Sequence, residues 1–490
     1  MLVVGPAPHV NGSCSKGNSV FAAFSAVSVR RRVAARLATA ALVPGLVVAG
    51  VFTTAGTAVA EEAPQGPGGA TATMDGLKTY GTAIVRENGE EQQVSAGLFE
   101  MSVEDGGMLQ TYCVDLHNPT QRDARYHETP WSGTSLSGNK DAGRIRWILQ
   151  NSYPQVNDLA ALAEKAGAAG LSEQDAAAGT QVAIWRFSDG ADVEALDPQA
   201  EKLADYLQRS ARNLAEPAAS LTLDPPAVSG PAGERLGPVT VRTNADSVSV
   251  TQAAAAAADG VKVVDEDGRA VTSAVNGSRL YFDVPDDAVA GSAELTLQAS
   301  TTVPVGRAFA SETRSQTQIL AGSSESTVSA VATANWAGKG AIPAVSAQRN
   351  CAEGGVDITA ANEGDEPFTF ELMGIKHTIA AGTTETLTIP LQEDQAYDFT
   401  VKGPNGFEKR IKGVLDCATE TAAGESGDSV QTLSEPSPMT AGGTSTGGTD
   451  LAATGSSDAT PLIAGIAIAL VVVGGGAMLL VRRKKTPPQE

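Results

Sequence analysis

Apolar and polar positions change their spacing along the first third of the folded part of the chain. Residues 73–128 alternate with a period of two, which is typical of strands that bury one face, and Asn88-Gly89 provides a turn. From residue 139 to 213 the spacing becomes helical, with Ile145, Ile148 and Leu149 on one face. The predicted strands are 82–85, 94–101 and 108–116, and the predicted helices are a run ending at 153, then 159–166, 173–187 and 199–212. This pattern predicts an α+β domain over residues 76–216, a β-sheet with a helical lobe.

After Pro217 the helical spacing stops and short alternating runs return. Strands are predicted at 239–241, 247–251, 261–264, 280–284 and 293–299, and again at 356–360, 368–372, 385–391 and 396–402. Short strands at this spacing favour β-sandwiches. We therefore predict a multidomain, mostly β protein in which the α+β domain is followed by two Ig-like β-sandwich domains, at residues 217–340 and 344–417.

The first 60 residues have the pattern of a secretory signal peptide. A basic stretch at residues 30–36 precedes an apolar run, and the small-residue sequence Ala58-Val59-Ala60 follows it. This order predicts cleavage between Ala60 and Glu61, and residues 61–75 are predicted to be a flexible N-terminus. The mature protein would then lie outside the membrane.

The C-terminal end has three parts in a fixed order. An uncharged apolar run at residues 462–481 is long enough to cross a bilayer, and a basic tail at 482–485 follows it. Residues 418–450 contain no Lys or Arg and are rich in Gly, Ser, Thr, Glu and Pro, a composition that favours a disordered linker able to span a cell wall. Between linker and apolar run stands a pentapeptide: Leu451, Ala452, Ala453, Thr454 and Gly455.

The arrangement of residues 451–490 resembles the LPXTG-like sorting signals of Gram-positive surface proteins, in the LAxTG form associated with class E sortases of actinobacteria. The resemblance implies that a sortase cuts between Thr454 and Gly455 and joins Thr454 to an amine of a peptidoglycan precursor. It also implies a secreted protein anchored in the cell wall and exposed at the cell surface. The transmembrane helix would hold it in the membrane only before that cleavage.

Charge excludes one class of function. The chain has 35 Lys and Arg against 56 Asp and Glu, and the two targeting ends hold nine of the basic residues but only two of the acidic ones. The remaining part, residues 61–454, carries a net charge of −28, which disfavours nucleic-acid binding because phosphates require a basic face. The chain has only four His residues, too few to favour a His-based metal site, and we predict neither a metal nor a cofactor.

The four cysteines have different predicted fates. Cys14 leaves with the signal peptide, while Cys351 and Cys417 bracket the second predicted sandwich and are expected to form a disulfide. Cys113 is then left alone in an extracellular protein. It could be a buried inert residue, the nucleophile of a cysteine hydrolase, or one half of an internal crosslink.

The hydrolase interpretation requires a base such as His117 or His127. His117 follows Cys113 by four residues, a separation of about 13 Å along a strand, which is too far for a hydrogen bond between nucleophile and base. We expect both His residues to lie on the surface.

The crosslink interpretation depends on two segments taken together. One segment is Tyr112-Cys113-Val114-Asp115, and the other is the helical Thr180-Gln181-Val182-Ala183-Ile184-Trp185. With the intervening stretch 144–154, they resemble the thioester domain of Gram-positive surface proteins, over about residues 76–216. The resemblance implies that the Cys113 thiol condenses with the Gln181 amide and releases ammonia. Residues expected to surround the bond and exclude water are Tyr112, Val114, Asp115, Ile184 and Trp185.

A thioester is a strong acyl donor, so the resemblance implies an adhesin that binds covalently to a Lys-like amine on a partner. Such a bond is used once, and the protein would not be an enzyme. The residues themselves leave two alternatives open: a non-covalent wall or adhesion protein with a buried Cys113, and a secreted cysteine hydrolase.

Overall fold

The structure, a computed structural model, describes residues 68–254 and 260–418. Several predicted features lie outside these residues: the signal peptide with its cleavage site at Ala60/Glu61, most of the linker, the Leu451–Gly455 pentapeptide and the apolar run 462–481. Within the described part of the chain, no helix is long and apolar enough to cross a membrane.

The described chain is mostly β-sheet with four α-helices and two short 3-10 turns. The helices are α1 (Ala142–Asn151), α2 (Leu159–Ala166), α3 (Glu173–Ser188) and α4 (Pro198–Ser210). The strands up to the middle of the chain are β1 (Thr71–Glu87), β2 (Glu90–Val103), β3 (Met108–Cys113), β4 (Arg125–Thr129), β5 (Val193–Ala195), β6 (Leu221–Asp224), β7 (Ala227–Pro231), β8 (Arg235–Thr243), β9 (Val248–Gln252), β10 (Lys262–Val264), β11 (Ser273–Ala274) and β12 (Arg279–Asp283). The remaining strands are β13 (Gly291–Thr302), β14 (Ala308–Ser311), β15 (Gln318–Ser323), β16 (Glu325–Ala337), β17 (Pro343–Asn350), β18 (Gly355–Asn362), β19 (Phe368–Leu372), β20 (Ile375–Ile379), β21 (Thr383–Pro390), β22 (Ala396–Lys402) and β23 (Glu408–Val414).

The first domain is built on a seven-stranded sheet with the order β2-β3-β15-β14-β4-β1-β5. Its longest pairing is the β1–β2 hairpin, which turns at Asn88-Gly89 with φ of 52° and 83°. Left-handed backbone at both turn residues matches the twist of a hairpin, and Asn-Gly is the pair that adopts it most readily. The turn predicted at this position is confirmed.

Two strands of this sheet come from far along the chain, and this corrects the predicted domain organisation. Strands β14 and β15 fall within the segment 217–340 that was assigned to the first sandwich, yet β15 pairs with β3 and β14 pairs with β4. In the sequence, β14 and β15 lie between β13 and β16, the two long strands of the sandwich. Residues 76–216 alone are therefore not the complete sheet. Such short, fully buried strands show no alternation from which they could be separated from the sandwich pattern.

Each face of the seven-stranded sheet is covered by a different core. The helical-side core joins the helices to one face and includes Tyr112, Val114, Ile184 and Trp185. The sandwich-side core lies on the opposite face and is continuous with the interior of the following sandwich; it includes Leu109 and Cys113. Because successive side chains of a strand point to opposite faces, β3 contributes Tyr112 to one core and Cys113 to the other.

The following unit consists of a four-stranded sheet, β10-β12-β8-β6, and a five-stranded sheet, β11-β9-β13-β16-β7. Strands β13 and β16 pair along their whole lengths, from Gly291 with Trp336 to Thr302 with Glu325. Strand β7 joins the edge of β16 in parallel orientation. The two sheets share the sandwich-side core, but an Ig-like relationship stays a prediction.

The C-terminal unit has three small sheets, β17-β18-β21, β19-β20 and β22-β23, around a separate core. The predicted disulfide is present: Cys351 and Cys417 are joined with an S–S distance of 2.00 Å. This end of the unit lies against the first domain, since the Cys351 N–H donates to the Ser132 carbonyl at 3.0 Å.

Candidate functional site

Cys113 is the last residue of β3, and its backbone is held by the side chain of Gln181. Pairing between β2 and β3 ends at Phe99 and Thr111, so β2 does not reach Cys113. The Gln181 amide takes that place in the ladder. Its Oε1 accepts from the Cys113 N–H at 3.1 Å, and its Nε2 donates to the Cys113 carbonyl at 2.9 Å. Both side chains are fully buried. The two residues that were predicted to be linked are therefore in direct contact in the structure.

Helix α3 presents Gln181 to β3 because both its start and its rotation are fixed. A capping box of Ser172 and Asp175 begins the helix at Glu173, which is the predicted first residue. Ile184 and Trp185, three and four residues after Gln181, are buried in the helical-side core on the same side of the helix. A helix that buries these large side chains cannot rotate without opening the core, so Gln181 stays directed at β3.

Tyr112, one residue before Cys113, closes the helical side of the site. Its hydroxyl donates to the Tyr153 carbonyl at 2.9 Å, and burial raises the pKa of Tyr112 far above its ordinary value of about 10. The phenol therefore remains protonated and keeps its role as a donor. Val114 is fully buried beside it, so water is excluded on this side of the site.

The thiol of Cys113 lies on the other face, next to a second glutamine. Gln318 of β15 stands opposite Cys113 in the strand register, and its Nε2 is 3.5 Å from the Cys113 Sγ. The Thr120 hydroxyl is 3.7 Å from the same sulfur. Sequence reasoning missed both residues, because neither belongs to the two motifs and β15 was assigned to another domain.

Asp115 shapes the turn that follows β3. Its Oδ1 accepts from the backbone N–H groups of His117 and Asn118, at 3.0 and 3.2 Å. Asp416 of the C-terminal unit is close enough for their charges to interact: burial and the Asp115 carboxylate raise the pKa of Asp416 to about 7. A buried carboxyl pair therefore marks the place where the C-terminal unit meets the first domain.

The two His residues have other partners. The Nε2 of His117 is 3.1 Å from the Glu87 carboxylate. The ring of His127 is occupied at both nitrogens, by Thr71 at Nδ1 and by Glu312 at Nε2. The expectation that both lie on the surface is wrong for His127, which is buried because β4 is an interior strand of the sheet. These contacts give no support to a cysteine hydrolase.

The geometry around Gln181 is suited to acyl chemistry. The Cys113 N–H already points at the Gln181 carbonyl oxygen, which is where negative charge would collect if a nucleophile attacked the Cδ atom. This backbone donor is one that the sequence could not identify. Full burial of the pair also keeps bulk water from the acyl carbon.

Two family models match the chain. Residues 110–213 match the thioester domain, a stretch that contains Cys113 and Gln181, and residues 343–414 match the C-terminal domain of bacterial phospholipase C. The chain thus contains a thioester domain followed by several β-sheets.

The solved structures that are similar to the chain include the following two. The Bacillus anthracis TIE protein is 16% identical over 71% of this chain and 63% of its own length, with a TM-score of 0.25. The thioester domain of the Enterococcus faecium TIE86 protein is 17% identical over 55% of this chain and 96% of its own, with a TM-score of 0.25. The chain thus spans less than two thirds of the Bacillus anthracis protein's length. No curated protein matches the sequence significantly.

Proposed function

We propose that this protein is a cell-wall-anchored surface adhesin whose Cys113–Gln181 thioester reacts with an amine on a partner and leaves a covalent amide. The observation that carries the proposal is the pair of hydrogen bonds that holds the Gln181 amide on the Cys113 backbone inside a fully buried site. The match of residues 110–213 to the thioester domain supports it.

Bond formation starts from the thiol and the amide. The Cys113 sulfur attacks the Gln181 Cδ atom, and the Oε1 atom takes up negative charge opposite the Cys113 N–H. The C–N bond then breaks, the thiol proton passes to the departing nitrogen, and ammonia leaves. A C–S bond replaces the C–N bond.

Capture of a partner reverses the roles of the groups. A Lys-like amine attacks the same Cδ atom, the C–S bond breaks, and Cys113 regains a proton that the amine loses. The partner keeps the Gln181 acyl group as an amide. Because the thioester is consumed, the protein acts once and does not turn over as an enzyme.

The anchoring part of the proposal comes from the sequence. A class E-like sortase would join Thr454 to a peptidoglycan precursor, and the two sandwich units, proposed to be Ig-like, would serve as a stalk. The partner is an amine-bearing protein or surface.

Intact mass spectrometry of the fragment 61–454 tests the thioester. The wild-type fragment should be lighter than its calculated mass by one ammonia, and both Cys113→Ala and Gln181→Ala should abolish this deficit. Gln174→Ala is the matched control, because Gln174 is an exposed residue of the same helix and should leave the deficit in place. A wild-type fragment of unchanged mass would contradict the proposal.

Reaction with small molecules separates the alternatives. Methylamine should add to the wild-type fragment once, at Gln181. A non-covalent adhesin would form no adduct, and a hydrolase would turn over a chromogenic ester many times. Wall, matrix and host-protein extracts can then be used to capture the partner, which peptide sequencing of the Gln181 adduct would identify.

A further inference from the structure

A second fully buried glutamine, Gln318, contacts the sulfur of Cys113. A buried amide is costly unless its polar atoms find partners, and both ends of Gln318 do so. Its Oε1 accepts from the Thr111 hydroxyl at 2.9 Å, and its Nε2 lies 3.2 Å from the Thr120 hydroxyl and 3.5 Å from the Cys113 Sγ.

Thr111 contacts the oxygen end of this amide. The Thr111 hydroxyl donates to the Gln318 Oε1, and in this orientation the N–H₂ group is directed at the Thr120 hydroxyl and the Cys113 sulfur. Thr111 lies two residues before Cys113 on the same strand, so the two side chains share one face. The sulfur therefore faces a donor rather than an acceptor.

Donors at this place would act on the group that leaves. When an amine displaces the thioester, the C–S bond breaks and its electron pair moves to sulfur. The sulfur sits in the sandwich-side core, where an isolated negative charge is strongly disfavoured. A neutral N–H donor stabilises that charge without introducing a second one.

We propose that Gln318 is a catalytic residue of the thioester, which donates a hydrogen bond to the Cys113 sulfur and speeds its departure during attack by an amine, with Thr111 as the positioning residue. This inference rests on the proposed thioester. In that step the amine nitrogen bonds to Cδ, the C–S bond breaks, and the proton lost by the amine ends on the Cys113 sulfur.

The test measures the rate at which methylamine adds to fragment 61–454. Gln318→Met keeps the volume and removes the donor, and it should slow the addition by about 10-fold or more, the size of effect expected for one hydrogen bond to a charged atom. Thr111→Val should slow it less, because the amide is still present but less well oriented. Gln110→Met is the matched control on the same strand and should react like wild type. A Gln318→Met rate within twofold of wild type would overturn the inference.

A second variant guards against a folding defect. Gln318→Glu has the same shape and places a carboxyl next to the sulfur. Burial raises the pKa of such a carboxyl, and only its protonated form can donate. Its rate relative to wild type should therefore be highest at low pH and should fall as the pH rises through that raised pKa, because the ionised carboxyl can only accept. A merely structural role of Gln318 predicts a ratio that does not depend on pH. Such a result would contradict the donor role.

The outcomes separate the two proposals. If the wild-type fragment shows no loss of ammonia, the thioester itself is wrong. If the wild type has the thioester and reacts with methylamine, but Gln318→Met does so equally fast, only the role of Gln318 is wrong.

Discussion

Two regions of the molecule hold the same cysteine, and they do so in different ways. The helical lobe supplies Gln181, which holds the backbone of Cys113, and the β14–β15 segment supplies Gln318, which contacts its sulfur. The helical lobe follows the β3–β4 region directly in the sequence. The β14–β15 segment, residues 308–323, lies in the sequence between two strands of the following sandwich. The proposed thioester site is therefore completed by a neighbouring unit, and it extends beyond residues 110–213, where the family match lies.

The largest expected effect comes from removing the second region altogether. A fragment 68–216 keeps both proposed thioester residues but lacks β14 and β15, which lie between β3 and β4. Strands β3 and β4 would each lose a neighbouring strand, and the apolar sandwich-side core would be exposed. We expect no cooperative thermal transition by circular dichroism and no loss of ammonia in the intact mass.

The matched control for this truncation is a fragment 68–342, which keeps the seven-stranded sheet and the sandwich but omits the C-terminal unit. It should unfold cooperatively. A fragment 68–216 that unfolded cooperatively and formed the thioester would show that the β14–β15 segment is dispensable.

The same two regions show how far the sequence could be interpreted. Helix α2 has the predicted bounds, and α3 begins at the predicted Glu173 because a capping box is a local signal carried by four residues. The meeting of Cys113 and Gln181 was also expected, from the resemblance of their two motifs.

The β14–β15 segment could not be predicted by the same means. Every residue of β14 is buried, so its apolar and small residues show no alternation, and its partner strand lies in another part of the sequence. Long-range pairing is decided by the assembled cores rather than by local propensity. Gln318 lies in that region and belongs to no motif, so no local signal could have assigned it to the site.

The second prediction concerns the ion pair that ties β4 to the β14–β15 segment. The fully buried Glu128 accepts from the Arg307 Nε at 2.8 Å, and Arg307 also pairs with Glu216 at 2.6 Å. Glu128→Gln leaves the buried Arg307 guanidinium without its fully buried counter-charge, so it should lower the free energy of unfolding by about 3 kcal/mol, measured by urea denaturation.

The control for Glu128 lies in the helical lobe. Glu201 pairs with Arg186 at 2.6 Å, but the Glu201 side chain is 28% exposed. Because this pair is partly solvated and Arg186 also pairs with Asp205 at 3.1 Å, Glu201→Gln should cost less, about 1 kcal/mol. Equal losses of unfolding free energy in the two variants would contradict the prediction that the Glu128–Arg307 pair contributes more to stability.

The third prediction is a difference in pH dependence between two carboxyls on either side of the turn after β3, the buried Asp416 and the half-buried Asp189. Burial and the Asp115 charge raise the pKa of Asp416 to about 7, whereas the ordinary value is about 4. The folded state therefore holds more protons than the unfolded state between about pH 4 and pH 7. It follows that wild-type stability falls as pH rises through that window.

Asp416→Asn removes this group from titration, so the variant should gain stability relative to wild type by about 2–3 kcal/mol between pH 5 and pH 8. Asp189, at the end of α3, provides the comparison on the helical side. Its carboxylate accepts from the Leu116 N–H, and burial raises its pKa to about 6. The difference curve for Asp189→Asn should level off about one pH unit lower than that for Asp416→Asn, and curves that do not depend on pH would contradict both assignments.

The smallest expected effect tests whether the helical lobe positions Gln181 through its core or through its cap. The Ser172 Oγ accepts from the Asp175 N–H at 3.1 Å, so Ser172→Ala should cost about 1 kcal/mol of stability, as loss of an N-cap usually does. Asp158 caps α2 in the same way, through the Ala161 N–H at 3.0 Å, and Asp158→Ala is the matched control.

Gln181 is more than two turns from Ser172, and the buried Ile184 and Trp185 fix the rotation of its helix. Both variants should therefore react with methylamine within twofold of wild type. A slower reaction in Ser172→Ala alone would show that the cap, rather than the core, sets the position of the acyl group.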